Sequence, residues 1–419
     1  MIKLIEKIEG EAKLNFSFEK GLIDFVEIEF LSTRNIEKIL QNKNALDALV
    51  ITPRVCGICN HAHLMASVQA LESCYEELEL SNRAKITREL TLNFEIIHNH
   101  FKWFYLTIMP LMGYKQYLLK ATQPSQLMAK AIATIAGQYP HTSYSIIGGV
   151  VSDIGMMDLI KVENYIDKTL KFFEQNLVHA KSDEFLECNN SNKLLSKEGD
   201  LPNLVNKIKD NGWSNVGKSY DRFIAFGENS YFKKGKSIKT RLTTNIYIDK
   251  VQEASNINSY AKNVLYKERY YEVGPLSRAM INKTPLIKDA HRKYGDSILS
   301  RILARVCEIP QLLNHSKKLI KQLDLSEPSY IKPKIDISDI TALGSSAIEA
   351  SRGTLIHKVN IKNGIIQKYD IITPTQWNLA NGTKESLGVS QKAMIGLENT
   401  QLAELSFKSF DVCSVCTTH

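Results

Sequence analysis

The sequence predicts a mainly α-helical fold that carries small β-hairpins or sheets. Apolar residues recur every three to four positions over long stretches, and glycine-containing turns separate alternating segments near both ends. A chain of 419 residues can bury one large core. We therefore expect a single domain over residues 1–419. Residues 180–260 have a weak pattern rich in Lys, Asn and Ser, which indicates a peripheral variable elaboration.

The predicted elements follow from periodicity, caps and breakers. The first hairpin turns at Gly21, and the last turns at Asn363-Gly364, a pair that suits a type I′ turn. The prediction begins with a hairpin over 1–31 and ends with a hairpin over 356–372. Between them it places a strand within 239–248 and five helices. The helices cover 61–80, the stretch from Ser81 or Asn82 to Pro110, 124–137, 154–178, and 285–322 with a kink at Pro310.

Composition excludes several classes of protein. The net charge is +8, but the lysines are scattered and no basic run alternates with aromatic residues, so we expect no nucleic-acid binding. The first eleven residues carry Glu6, Glu9 and Glu11 without an apolar core, so they do not resemble a signal peptide. No apolar stretch approaches the ~18 residues of a membrane span. We expect a cytoplasmic protein that reaches a membrane or another compartment only through a partner.

Two cysteine pairs lie at opposite ends of the chain, Cys56-Gly-Ile-Cys59 and Cys413-Ser-Val-Cys416. A CxxC loop lets two thiolates bind one metal, and two loops offer four soft ligands that suit zinc, iron–sulfur or nickel–iron chemistry. The total of seven cysteines is odd, which argues against a secreted disulfide framework. If the two pairs share a site, the last residues of the chain must be buried beside an early loop.

Three kinds of site are compatible with these pairs. A structural zinc site is the simplest, although zinc ribbons hold both pairs within a few tens of residues because closing a very long loop costs entropy. A thioredoxin-like redox pair needs a βαβ context, which the pattern lacks. The third is a catalytic metal centre assembled across a large fold.

The stretches around both pairs resemble the signatures of NiFe-hydrogenase large subunits. Arg54-Val-Cys56-Gly-Ile-Cys59-Asn-His-Ala-His63 matches the amino-terminal pattern RxCGxCxxxH at every fixed position. The last nine residues resemble the carboxy-terminal pattern DPCxxCxxH, with Val412 in place of Pro. Four further stretches resemble the family in its order, namely Ile8-Glu9-Gly10, residues 137–141 with 148–149, residues 271–278, and residues 350–353 with 374–378.

The resemblance implies a long helical bundle of the NiFe-hydrogenase large-subunit type and a nickel–iron centre. By resemblance, Cys56 and Cys413 are terminal nickel ligands. Cys59 and Cys416 bridge nickel to an iron that carries cyanide and carbon monoxide. The other three cysteines have no such spacing. The wording of both motifs is most similar to cytoplasmic uptake and sensor-type members.

Four further residues are implied as parts of the reaction site. Glu9 lies at the family position of the first proton acceptor, and a carboxylate near thiolates has the raised pKa that suits proton exchange. Arg352 matches the guanidinium that overhangs the centre, and Thr375 matches a hydrogen-bond donor to cyanide. His63 resembles the histidine that hydrogen-bonds a bridging sulfur.

A hard-cation site is implied as well. Glu37, in Arg34-Asn-Ile-Glu37, resembles the carboxylate of an RGxE motif that binds magnesium, with Asn35 in place of Gly. The terminal His419 and the carbonyl of Ile371 would complete that site.

The implied function is reversible heterolytic cleavage of dihydrogen, with hydrogen oxidation as the main direction. Because the chain has no further cysteine cluster, electrons must leave through an iron–sulfur small subunit. Maturation proteins that load nickel are also expected partners.

One alternative is a hydrogen sensor with the same site. Another is a non-catalytic structural subunit, which retention of all four cysteines disfavours. The sequence departs from the family at Ser351, where Pro is usual, and at Trp103, where His is frequent.

Overall fold

The computed structural model describes residues 2–7, 10–115, 117–194, 197–256 and 258–413. Its α-helices are α1 Ile36–Leu40, α2 Asp47–Ile51, α3 Asn60–Glu72, α4 Asn82–Trp103, α5 Met109–Leu111, α6 Leu118–Ala136, α7 Met156–Phe172, α8 Ser182–Glu187, α9 Asp200–Asp210, α10 Pro275–Asn282, α11 Pro285–Tyr294, α12 Ile298–Gln322, α13 Pro374–Asn378, α14 Val389–Met394 and α15 Thr400–Ser409. Its strands are β1 Ile2–Lys7, β2 Gly10–Glu19, β3 Leu22–Glu29, β4 Ser145–Ile146, β5 Gly149–Val150, β6 Arg222–Ala225, β7 Gly235–Ile238, β8 Arg241–Thr243, β9 Val251–Ala254, β10 Asn263–Tyr266, β11 Ala342–Ala350, β12 Gly353–Lys362 and β13 Ile365–Ile372.

A bundle of long helices forms the centre of the molecule. Helix α4 packs against α6 and α12, and α6 packs against α7. The predicted start of α4 is confirmed, because the Ser81 side chain accepts a hydrogen bond of 3.1 Å from the Ala84 N–H. The apolar faces of these helices enclose the largest core cluster, which also includes Cys56, Cys59 and Cys413. The metal-binding cysteines predicted from the motifs therefore lie inside the main core.

Small antiparallel sheets flank the bundle, as the sequence predicts. Strands β11, β12 and β13 form one sheet in that order. The predicted hairpin over 356–372 is confirmed, and its turn has φ of +48° at Asn363 and +70° at Gly364, the sign that a type I′ turn requires at both positions. The first hairpin is confirmed at Lys20 and Gly21, and β1 adds a third strand to it.

Several predicted elements have different boundaries in the structure. The helix predicted over 124–137 begins earlier, at Leu118, and ends at Ala136. The helix predicted over 285–322 is broken at Gly295, which has φ of +70° and ends α11 before Ser297 caps α12. The helix predicted to reach residue 80 ends at Glu72. The strand predicted within 239–248 is confirmed only for β8, Arg241–Thr243, because Lys239 and Thr240 adopt positive φ and form the turn between β7 and β8.

Two glycines allow the sheet to approach α10 closely. A Cβ atom on Gly353 would lie 2.6 Å from the Gly274 nitrogen, and one on Gly274 would lie 2.7 Å from the Arg352 carbonyl oxygen. Both residues also have positive φ, +128° and +109°. A side chain at either position would push the turn that carries Arg352 away from the helix.

A buried ionic network connects the bundle to this sheet. Arg278 is fully buried and donates from Nε and Nη2 to Glu308, each at 2.8 Å, and from Nη1 to Glu349 at 3.0 Å. Glu308 also accepts from His100 Nε2 at 2.8 Å. Burial opposes the charge on Glu308, but Arg278 and the His100 hydrogen bond outweigh it and lower the pKa of Glu308 to about 2. The network thus links α4, α10, α12 and β11.

None of the helices among the described residues combines the length and the apolar character needed to span a membrane.

Replacing Glu308 by Gln is expected to lower the free energy of unfolding at pH 7 by about 3–5 kcal/mol, because Arg278 stays buried without its bidentate partner. The folded pKa of Glu308 lies below its ordinary value of 4.5, so its stabilisation is present above pH 4.5 and disappears as the pH falls toward 2. The difference between the two proteins should shrink over that interval, as measured by urea unfolding followed by circular dichroism.

The matched control is Glu77→Gln, which removes a carboxylate from an exposed ion pair with Lys334 and should change stability by less than about 1 kcal/mol. Equal stability of wild type and Glu308→Gln at pH 7 would contradict a structural role for the network.

Candidate metal centre

The two cysteine loops meet at one buried place. The Cys56 and Cys413 sulfur atoms are 3.6 Å apart, and together with the Cys59 sulfur all lie within 4.8 Å of one another. Thiolates that bind one metal at about 2.3 Å require separations of this order. The predicted convergence is therefore confirmed for these three residues. Cys416 lies outside the described residues, as do Glu9 and His419.

The first loop favours thiolate at the predicted ligands. The Cys56 sulfur accepts hydrogen bonds from the backbone N–H groups of Ile58 at 3.3 Å and Cys59 at 3.4 Å. Cys59 precedes α3 directly, so its sulfur lies near the positive end of a helix. Both features stabilise negative charge on sulfur, the form that binds a metal.

The carboxy-terminal segment is held by buried side chains of the bundle. Arg305 Nη1 donates to Asp411 Oδ2 at 2.8 Å. Arg352 Nε donates to the Asp411 carbonyl at 3.1 Å, and its Nη2 lies 3.2 Å from Oδ1. The indole N–H of Trp103 donates to the Lys408 carbonyl at 3.0 Å, and its ring stacks on the Arg305 guanidinium at 4.6 Å. Trp103 thus holds the chain at the position where the family often has His.

Two of the predicted site residues each have a buried polar atom without a partner among the described residues. Arg352 lies in the two-residue turn between β11 and β12, and Thr375 lies in the first turn of α13. Within the described part of the chain, Arg352 Nη1 and Thr375 Oγ1 are buried and have no hydrogen-bond partner. Burial disfavours the Arg352 charge, but Asp411 and the cysteine sulfurs outweigh it and raise its pKa. The thiol cluster and the unpaired N–H group of Arg352 are compatible with a metal centre at this place.

His63 belongs to a buried chain of hydrogen bonds. Its Nδ1 lies 3.1 Å from His357 Nε2, and His357 Nδ1 lies 2.8 Å from the Tyr369 hydroxyl. Tyr369 donates to Ser67 Oγ at 3.1 Å. The Tyr369 oxygen must then accept from His357 Nδ1–H, which leaves His357 Nε2 as an acceptor for His63 Nδ1–H. The chain therefore orients the His63 ring and specifies which nitrogen holds its proton.

Glu37 lies in a cluster of charged side chains beside a cavity of about 690 Å³. Its carboxylate accepts from the Ile371 N–H at 2.8 Å and from Lys262 Nζ at 3.0 Å, and Lys262 also pairs with Glu253 at 3.3 Å. Asn35 has φ of +53°, a left-handed conformation that Asn tolerates, which explains how it replaces Gly. Two carboxylates and room for water suit a hydrated hard cation, which would have to displace the Lys262 ammonium.

Sequence reasoning assigned no role to several residues that shape the site. Asp411 anchors the second loop, His357 orients His63, and Glu95 contacts the first turn of α3. The position of Asp411 next to a cysteine motif was a usable signal. Glu95 interrupts the apolar stripe of α4, a weaker signal. The ring nitrogens of His61 have no hydrogen-bond partner among the described residues: the ring stacks on Tyr144, and burial lowers the pKa of His61 to about 3.

A family model described as nickel-dependent hydrogenase matches residues 34–109 and 221–419, which is more than half of the chain and includes every described cysteine of the cluster. The chain belongs to the nickel-dependent hydrogenase family. This hydrogenase is accordingly an oxidoreductase that acts on dihydrogen, and the thiol cluster is compatible with a nickel–iron centre.

Known relatives match along nearly their whole length. The hydrogenase is 23% identical to the alpha subunit of sulfhydrogenase 1 from Pyrococcus furiosus, over 99% of this chain and 96% of the relative. It is 21% identical to the hydrogenase-2 large chain of Escherichia coli, again over 99% and 96%. The Ni-Fe-Se hydrogenase from D. vulgaris Hildenborough in the reduced state superposes with a TM-score of 0.85 at 21% identity, over 100% of both chains. The predicted fold class is thereby confirmed.

Replacing Cys413 by Ser is expected to abolish stable nickel retention and hydrogen uptake, because a soft ligand is lost from the centre of the cluster. Nickel and iron content measured by mass spectrometry, with hydrogen-dependent dye reduction, would test this. The control Cys74→Ser changes a buried thiol that contacts the Ala70 carbonyl in α3, and should lower stability without loss of nickel. Full turnover in Cys413→Ser would contradict the ligand assignment.

Proposed function

We propose that this hydrogenase is the catalytic large subunit of a cytoplasmic uptake enzyme, which splits dihydrogen heterolytically and passes electrons to an iron–sulfur small subunit. The observation that carries the proposal is the convergence of three buried thiols within reach of the Arg352 charge, because Arg352 has a buried N–H donor without a partner among the described residues. A structural zinc site would need no such donor.

The cysteines of both loops would hold the metals. Cys56, Cys413, Cys59 and Cys416 would supply four thiolate ligands to the nickel and iron. When bound, the centre supplies the soft, electron-rich metal site at which dihydrogen is split. The buried position of Cys413, at 0% exposure, excludes bulk water from that place.

Arg352, Thr375 and His63 would fix the surroundings of the reaction. The Arg352 guanidinium is immobilised by Asp411, so its Nη1 can donate to an anionic ligand without reorganisation. Thr375 would donate to cyanide from Oγ1. His63, oriented by His357, would contact a bridging sulfur through the ring nitrogen that His357 does not use.

Glu9 would accept the proton that heterolytic cleavage releases. A carboxylate can take up a proton and pass it on near neutral pH when its pKa is raised by an adjacent negatively charged centre. Glu37, the Ile371 carbonyl and His419 would hold a magnesium ion away from the cysteines.

A partner must carry the electrons. The described residues contain no metal-binding group of three or more His, Cys, Asp or Glu side chains besides the thiol cluster, and the remaining cysteines are separated along the sequence. The two relatives named above are themselves designated an alpha subunit and a large chain, which supports a multisubunit enzyme. An iron–sulfur small subunit would supply the electron relay. Maturation proteins would load the nickel.

The proposal is tested by metal analysis and infrared spectroscopy of the purified complex, followed by assay of hydrogen oxidation with an artificial acceptor. We expect nickel, iron in excess over nickel because the small subunit would add its iron–sulfur clusters, cyanide and carbonyl stretching bands, and rapid turnover. Slow turnover with the same bands would instead indicate a hydrogen sensor. Zinc without infrared bands would refute the nickel–iron assignment.

Glu9→Gln is expected to retain the metals and the infrared bands but to lose nearly all hydrogen oxidation, because an amide of similar shape cannot take up a proton. Isotope exchange between hydrogen and water should fall with it, since that exchange needs the same proton exit. Interconversion of the spin isomers of hydrogen should persist, since it requires cleavage only.

The control for this variant is Glu6→Gln, which removes a carboxylate three residues earlier and should preserve exchange. If Glu9→Gln exchanges isotopes with water at the wild-type rate, the proton leaves by another route. Loss of metal from Glu9→Gln would show a structural role instead.

A further inference from the structure

Helix α4 carries a buried carboxylate that neither the motifs nor the proposed reaction uses. Glu95 is 1% exposed. Its Oε1 accepts a hydrogen bond from the His61 N–H, and its Oε2 accepts one from the Ala62 N–H, both at 2.9 Å. These two N–H groups belong to the first turn of α3, which begins immediately after Cys59. Glu95 therefore binds the chain next to a predicted ligand.

The contact replaces an ordinary helix cap. The first N–H groups of a helix have no partner within the helix, and the side chain of the N-cap residue usually supplies one. The N-cap residue of α3 is Cys59, and its side chain makes no capping hydrogen bond. The N-cap residue therefore leaves the first N–H groups of α3 without an acceptor. Glu95 supplies the acceptor atoms from another helix, where the positive end of α3 favours its charge.

The same face of α4 holds the loop at a second point. Asn99, one turn after Glu95, donates from Nδ2 to the Ile58 carbonyl at 3.3 Å. The Tyr139 hydroxyl donates to the same carbonyl at 3.2 Å and lies 3.5 Å from Glu95 Oε1. Hydrogen bonds from α4 thus reach the chain on both sides of Cys59.

We propose that Glu95 is a positioning residue of the metal centre, which fixes the loop of Cys56 and Cys59 by capping α3 from α4. The inference rests on the proposed nickel–iron function of that loop. Gln is the most selective replacement for Glu95, because it keeps the size of the side chain and one acceptor oxygen. Its amide NH₂ group would face a backbone N–H, so either His61 or Ala62 loses its acceptor.

The test compares Glu95→Gln with wild type in the purified complex. We expect nickel content to fall by about 10-fold or more, as for other groups that orient metal ligands, and the cyanide and carbonyl bands of the remaining loaded enzyme to shift. A residue that contributes only to folding would lower the melting temperature without moving those bands. Unchanged bands and nickel content in Glu95→Gln would overturn the proposal.

The matched control is Glu89→Gln on the same helix. Its carboxylate also accepts a backbone N–H, from Ser230 at 3.1 Å, and pairs with His315, but it does not contact the cysteine loop. This variant should keep the wild-type bands. A band shift of the same size in Glu89→Gln would overturn the specific role of Glu95.

A second variant keeps the test decisive if Glu95→Gln does not fold. Asn99→Ala removes the hydrogen bond to Ile58 and leaves Glu95 in place, and we expect a smaller band shift with nickel retained. Wild-type bands in Asn99→Ala would then refute positioning of the loop by α4. If wild type itself lacked cyanide and carbonyl bands, the proposed function would fail first, so the two failures are distinguishable.

Discussion

The structure depends on the hydrogen bonds and ion pairs that Arg305 and Arg352 make with Asp411. Cys56 and Cys413 are 357 positions apart, so bringing their sulfur atoms to 3.6 Å closes almost the whole chain. The two guanidinium groups hold Asp411 through its carboxylate and its carbonyl, two residues before Cys413. An unpaired buried charge would be strongly unfavourable, which makes this arrangement cooperative: each partner is stable only while the others are in place.

The ion pairs of Asp411 are one end of a longer network of buried hydrogen bonds and ion pairs. Arg305 Nη1 lies 3.2 Å from His100 Nδ1, His100 donates to Glu308, and Glu308 binds Arg278. Burial lowers the pKa of His100 to about 4, so His100 connects the two ion pairs as a neutral ring. Three guanidinium groups and three carboxylates alternate through the core between β11 and the second cysteine loop. Because charge is balanced inside the network, helix packing and the position of the loop are coupled.

Short-range sequence signals predicted which helices and strands form better than they predicted where those elements end or which residues they contact. The turn at Asn363-Gly364 and the cap at Ser81 depend on adjacent residues, so sequence was sufficient for both. Gly295 was overlooked because apolar periodicity continues across it, although its positive φ ends a helix. The spacing of the cysteines predicted that the two loops converge. His357 and Glu95 could not be found in that way, since their partners are chosen by tertiary packing and leave no spacing in the sequence.

Cys59 is predicted to bind metal while Glu95 caps α3, and this separation follows from the position of Cys59 at the start of the helix. A cysteine there gains a favourable field for thiolate, but the Cys59 side chain makes no capping hydrogen bond to the exposed N–H groups of the helix. The missing acceptor must come from outside the loop, and a buried carboxylate on a long, well-packed helix is rigid enough to provide it. Metal binding and helix capping are then stabilised by separate groups, so α3 can hold its first turn before the second loop closes over the site.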